Sequence, residues 1–417
     1  MRRNLLAGSI SVAGLTLASW VVPVAAEAAS ASTPVTCGQT LTSSTRLPND
    51  LVGCSGDGLV IGTDNITVDL AGHSISGVNA AGSEGIADDG HRGVRIQNGT
   101  IANFFLNGVG LRGAPRSVVR NVTIRKIGAG GIENDASAGV LVKNSPDTVV
   151  TASTVKNDVV AFQSDGVDVL SSAGTTVSGN RLTDNAWNGM VVVDSPATRV
   201  IGNALDRNQN QGVEVNAGSD GTLLAGNHAR NNASNGLVVG AISGARIEGN
   251  TVTGNGESGL FMFDLLNSRV SANRASGNGV GIDLEGGQNG SSGNRITNND
   301  TSRNTAGLVV GGGANDNLVV GNVSTANQGG PDDGGGIVLF AVTGNTVRGN
   351  VASLNRDVGI GVFEDEPGDS TGNVLTRNVA LSNRNHGISA VEGTVDGGGN
   401  IAHGNTPPPN CLGVSCT

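Results

Sequence analysis

The stretch G-N-R-L-T-D-N-A-W-N-G-M-V-V-V (Gly179–Val193) returns as G-N-A-L-D-R-N-Q-N-Q-G-V-E-V (Gly202–Val215) and as G-N-T-V-T-G-N-G-E-S-G-L-F-M-F (Gly249–Phe263). Each copy has a lead asparagine, a second asparagine, then a glycine followed by alternating aliphatics. The lead asparagines fall at Asn180, Asn203, Asn227, Asn250, Asn273, Asn299, Asn322, Asn350, Asn378 and Asn400, spaced 22 to 28 residues apart and most often 23. A period that short, with strand formers and almost no helix former, reads as a β-solenoid.

A second column keeps step with the first. Gly166, Gly189, Gly212, Gly236, Gly259 and Gly281 each precede an aliphatic by one residue and another by three, as in Gly259, Leu260 and Met262. Strand side chains alternate between faces, so both aliphatic columns face one interior. Further inward columns flank the asparagines at Val177, Val200 and Leu224, and at Leu182, Leu205 and Ala229. One turn therefore holds three short strands, and turns stack about 4.8 Å apart with like residues over like. The 67 glycines are expected at tight corners. The asparagines are expected to stack and to satisfy buried turn backbone.

Composition bounds the compartment and the partners. Residues 1–29 read as a secretory signal: Arg2 and Arg3, an apolar run from Leu5 to Val24, then small residues. No other segment is apolar enough to span a membrane, so a secreted chain is expected. The four cysteines form two sequence-local pairs, Cys37 with Cys54 and Cys411 with Cys416, expected as disulfides stapling the ends. Their spacing does not suit zinc. The net charge is −10 with no basic run, which excludes a nucleic-acid partner. Residues 30–57 read as an N-terminal cap, 58–405 as the solenoid of roughly 13–15 coils, and 406–417 as a tail. Residues 78–92 interrupt the period and read as a loop. A monomer is expected.

The order of glycine-led strand, second strand, asparagine corner and third strand resembles the right-handed parallel β-helix superfamily. That superfamily includes pectate lyases, polygalacturonases, alginate epimerases and NosD-type copper-pathway proteins. The resemblance covers roughly residues 58–405. It implies an all-β, single-stranded right-handed parallel β-helix with three parallel sheets and an asparagine ladder. It also implies a substrate groove along the exterior of the first sheet. The motifs of the member enzymes are missing. Asp88-Asp89 and Gly90-His91 are adjacent, without a downstream R-x-K, and the epimerase D-P-H-D element is absent.

Outward positions of the first sheet lie two and four residues after each ladder glycine. They give Asp168, Glu214, Phe261 and Asp283 in one column, and Phe263, Glu285, Phe340 and Phe363 in the next. Paired phenylalanines beside paired acids are not what solvent alone selects. Asp168, Glu214, Phe261, Phe263, Phe340 and Phe363 are therefore expected to bind polysaccharide. Asp283 and Glu285, two apart with carboxyls roughly 6–7 Å apart, are the expected acid–base pair. Asp332, Asp333, Glu364 and Asp365, on two loops that stretch the period, form the expected Ca²⁺ site, the only cofactor suggested. A non-catalytic envelope-binding or structural solenoid is the alternative to a lyase, hydrolase or epimerase. The five histidines are dispersed without metal-ligand spacing.

Overall fold

A computed structural model describes residues 34–128, 137–157, 164–330 and 334–417. The signal segment, 1–29, lies outside the described residues. Among the described residues there is no helix. Sixteen parallel strands, from Gln39–Leu41 to Cys411–Leu412, stack into the first sheet and mark about fifteen turns. Each turn continues through a second-sheet strand such as Arg199–Ile201 and, across the lead asparagine, a third-sheet strand such as Ala204–Asp206. The sequence register holds strand by strand: Met190 pairs with Val213, Val213 with Leu237, and Leu237 with Leu260.

The interior is a thin aliphatic stack. Leu260, Ile282, Val200, Leu205, Ile247 and Val252 are all at most 1% exposed, and one cluster runs from Val35 to Ala402. Each such side chain contributes about 1.5–3 kcal/mol when buried. Because turns touch only their neighbours, that sum is local to each pair of coils.

The asparagines tie the coils together. Asn203 Nδ2 donates to Asn227 Oδ1 at 3.0 Å, the Asn203 backbone N–H donates to the same oxygen, and Nδ2 also reaches Val177 O at 2.9 Å. The second asparagines, among them Asn208, Asn232 and Asn255, repeat this arrangement. A further ladder runs along a different corner from Ser145 through Ser172 to Ser195, then through Ser268, Asn294, Asn317 and Asn345.

The ladder glycines serve a purpose other than tight corners. Gly259 has no left-handed φ, yet a Cβ there would sit 2.6 Å from the carbonyl oxygen of Gly281. Gly189, Gly212 and Gly236 meet the next coil in the same way, so this column is glycine because backbone passes close to backbone.

Two boundaries differ from the sequence reading. Gln39–Leu41, Thr45–Arg46 and Leu51–Cys54 pair with Leu59–Ile61, Val68–Asp69 and Ile75–Gly77, so the expected cap is itself the first coil. Within the expected loop 78–92, Ile86–Asp89 is a first-sheet strand in register with Val109–Arg112. The disulfides Cys37–Cys54 and Cys411–Cys416 form at Cα separations of 5.4 and 6.2 Å.

Candidate functional site

The outward column of the first sheet is continuous in register. Asp168 pairs with Val191, then come Glu214, Val238, Phe261, Asp283, Val309 and Val338. The next column runs Gly240, Phe263, Glu285, Gly311, Phe340, Phe363. Phe261 therefore lies beside Asp283, and Phe263 beside Glu285, on adjacent strands. These four side chains form one contiguous patch.

Local geometry sets each orientation. The Phe261 and Phe263 ring centroids are 5.6 Å apart at 35°. The Phe263 ring folds over Gly240, where a Cβ would stand 2.1 Å from it, so only glycine admits the ring. The Glu285 carboxylate leans the other way, into the space left by Gly311 and Gly312. Ser258 Oγ donates to Asp283 Oδ2 at 3.3 Å, while Asp283 Oδ1 is buried and unpartnered.

Asp283 and Glu285 stand close enough on one strand for each carboxyl to shift the other. Burial, then the neighbouring Glu285, pushes Asp283 up to about 7. Burial also raises Glu285, and Asp283 partly offsets it. The two titrate as a pair, because two close carboxyls in a poorly solvated place resist ionising together.

A second pair of this kind stands on the same face, and only half of it is evident from the outward columns. Asp168 is 2% exposed, has an unpartnered Oδ1 and lies near enough to Asp165, itself 3% exposed, to be shifted by it. Burial, then Asp165, holds Asp168 well above the usual carboxylate range, and burial pushes Asp165 up to about 7. Such burial does not fit the expected role of Asp168 as a direct sugar contact; it is a buried acid. Glu214 is half-buried and accepts from Asn216 Nδ2 at 2.6 Å.

Asp165 belongs to a polar row along one edge of the sheet. The Asn188 backbone N–H donates to Asp165 Oδ1 (2.7 Å), Gln211 N–H to Asn188 Oδ1 (3.0 Å), Asn235 N–H to Gln211 Oε1 (2.9 Å) and Ser258 N–H to Asn235 Oδ1 (2.8 Å). The sequence signal is the polar residue directly before each ladder glycine. Together the row and the outward acids form a polar strip from Asp165 to Glu285.

The remaining expected residues do not join this patch. Phe340 and Phe363 are register neighbours further along the stack; Phe340 is 42% exposed and the Phe363 ring lies over Gly361. Asp332 and Asp333 lie outside the described residues. Glu364 accepts the Gly368 N–H at 2.9 Å, and Asp369 Oδ2 accepts the N–H of Asp365 and of Glu366, while Asp369 Oδ1 is buried without a partner. Asp88 is fully buried and accepts from the His91 backbone N–H at 3.0 Å, with the ring Nδ1 at 3.1 Å. That acid–histidine element closes its own turn.

The model of one protein family, described as periplasmic copper-binding protein (NosD), matches residues 130–291 and 288–406. No curated protein matches the chain. Among solved structures, the periplasmic alginate epimerase AlgG is 13% identical, aligned over 86% of this chain and 76% of its own, at a TM-score of 0.43. The Dettilon tailspike protein is 16% identical over 76% of this chain, at a TM-score of 0.45, and the chain spans 59% of its length. The DFA-IIIase of Arthrobacter chlorophenolicus A6 is 15% identical over 74% of this chain and 85% of its own, with a TM-score of 0.45. These likenesses extend no further than the fold.

Proposed function

The chain belongs to the NosD family, and from that premise we propose that this member is an exported solenoid that engages polysaccharide along the exterior of its first sheet. One observation carries the reading: Phe261, Phe263, Asp283 and Glu285 are immediate neighbours on one outward surface. Aromatic faces offer sugars an apolar platform, and the carboxyls and the amide row offer partners for hydroxyls. Two disulfides suit an oxidising compartment, in keeping with the word periplasmic in the family description.

Copper, which the same description names, does not suit the donors of this chain. Both cysteine pairs are disulfides, and Met190 and Met262 are fully buried in the aliphatic core. Among the described residues no three His, Cys, Asp or Glu side chains gather into a metal site. A soft cation wants thiolate, thioether or imidazole ligands that can converge.

Catalysis is a second reading, favoured by two neighbouring outward carboxyls that are both held above their ordinary pKa. In it Asp283 gives a proton to a glycan oxygen while Glu285 takes one from a neighbouring position. A screen of polyuronates and neutral glycans, with and without Ca²⁺, separates the readings. Retention without turnover supports a binding solenoid; new unsaturated ends absorbing in the ultraviolet support a lyase, and new reducing ends alone a hydrolase. A dependence on Ca²⁺ supports the expected site of Asp332, Asp333, Glu364 and Asp365. No retention of any glycan refutes both.

A further inference from the structure

Away from the first sheet's exterior, at the corner leading into the second sheet, lies a depression of about 490 Å³ lined by Asn65, Arg92, Gly93, Arg95 and Arg116. Three arginines line it, in a chain whose net charge is −10. We infer that this corner is a binding site for an oxyanion, either free phosphate or the acidic group of a charged glycan.

The corner column explains how the depression forms. Asn65, Gly93 and Arg116 occupy equivalent places on successive coils with φ of 58°, 69° and 60°. The glycine in the middle carries no side chain, and a Cβ there would meet Asn65 Oδ1 at 2.5 Å. The gap at Gly93 is therefore flanked by Asn65 on one coil and Arg116 on the other. Arg92 and Arg95 come from the same turn as Gly93, on either side of the buried Val94.

The charges are incompletely answered. Arg92 pairs with Asp64, Nε to Oδ2 at 3.0 Å, and keeps 59% of its side chain exposed. Arg95 and Arg116 have no carboxylate partner among the described residues. Arg95 stands in register between Thr67 and Val118, both uncharged. Asp147 follows Arg116 in the column, but its carboxylate leans over Gly174, where a Cβ would be 2.7 Å away.

Arg116 is also out of place conformationally. Later turns of this corner are held by Asp147, Gly174, Ala197, Gly221, Gly244 and Asn267, mostly residues that tolerate the left-handed region. Arg207, a left-handed arginine at another corner, is held by a bidentate pair with Asp184 at 2.7 and 2.8 Å. Arg116 takes the same unfavourable conformation without such a partner. Arg303 and Arg377 also stand left-handed without a carboxylate partner among the described residues, so what distinguishes Arg116 is its place beside Arg92 and Arg95 in the lining of the depression; guanidinium is the side chain suited to bidentate oxyanion contacts.

The test is isothermal titration of the full exported chain at low salt with inorganic phosphate, an oligo-uronate and a neutral oligosaccharide. Wild type is expected to bind phosphate or oligo-uronate at this corner with an affinity that weakens with salt, and the neutral sugar registers any binding that does not depend on the arginines. Tighter binding of the uronate assigns the anion to a glycan; tighter binding of phosphate assigns it to the free ion. Arg116→Gly should weaken binding at least tenfold while melting no lower than wild type, since glycine suits φ of 60°. Arg199→Ser, which removes an exposed charge from a distant coil, should bind as wild type. Phosphate, which offers an aromatic platform nothing to stack on, is the arm that is independent of the proposal for the first sheet: its binding should weaken in Arg116→Gly whatever the first sheet does with sugars. Absence of anion binding, full affinity in Arg116→Gly, or equal weakening in Arg199→Ser overturns the inference.

Discussion

Asn227 shows how much one side chain carries in this architecture. Its Oδ1 accepts from the backbone and side-chain N–H groups of Asn203, and its Nδ2 donates to Val200 O and Asn250 Oδ1. Asn227→Ala strands several buried groups at once, and the expected loss is about 3 kcal/mol or more. His228→Ala, on the exposed face of the same coil, should change stability by about 0.5 kcal/mol or less. Thermal melts of the two variants check this. The ladder glycines give a second contrast. Gly259→Ala forces a Cβ against Gly281 O and should cost about 2 kcal/mol or more. Gly202→Ala has open space around it and pays only for φ of 63°, about 1 kcal/mol. Equal losses would mean that corner conformation, rather than backbone proximity, explains the column. The asparagines are legible in the sequence because they repeat at a fixed phase. The crowding at Gly259 is not, because it depends on the next coil's carbonyl. Asp165 stays hidden for a related reason: it is not on an alternating outward position but turns back from the sheet edge to meet Asp168.

At the scale of a strand, the inward and outward columns make opposite demands. Leu260 is 1% exposed and faces aliphatics, so Leu260→Asp buries a charge without a partner and should unfold the adjoining coils. Val191 points outward and is half-buried, so Val191→Asp should be tolerated far better. Hydrogen exchange would register the first as lost protection across Ser258–Leu266 and its neighbours; similar losses in both variants would mean the faces are exchanged. Alternation makes these faces readable over most of the chain. It is less informative at Ile86–Asp89, where Ala87 faces outward yet is buried, and Asp88 takes the place in register with Leu111. An acid at a core position conceals a strand. The N-terminal segment is similar: Gln39–Leu41 and Thr45–Arg46 are short and polar, and become the first coil only by pairing with Leu59–Ile61 and Val68–Asp69.

For the whole molecule, two buried carboxyl pairs on one face link folding to pH. Asp165 and Asp283 titrate near 7 when folded, against 3.8 as the ordinary value. Between about pH 4 and 7 the folded chain keeps protons that the unfolded chain releases, so stability falls as pH rises through that window. Melting should thus be higher at pH 5 than at pH 8. Asp168→Asn/Asp283→Asn should flatten the slope and raise the melting temperature at pH 8 by on the order of a few degrees. An unchanged slope would mean that neither pair is buried as described.

The fold of the whole chain follows from its period, but its function depends on whether the outward patch meets a sugar. The most direct measurement is retention of the chain on immobilised glycans, wild type against Phe261→Ala/Phe263→Ala, with circular dichroism to establish that both are folded. Wild type should be retarded by at least one polyuronate or neutral glycan, and the variant should lose at least tenfold in affinity, about 1.4 kcal/mol. Equal retention of the two folded proteins, or no retention of either, would contradict the assignment of the first sheet's exterior to polysaccharide.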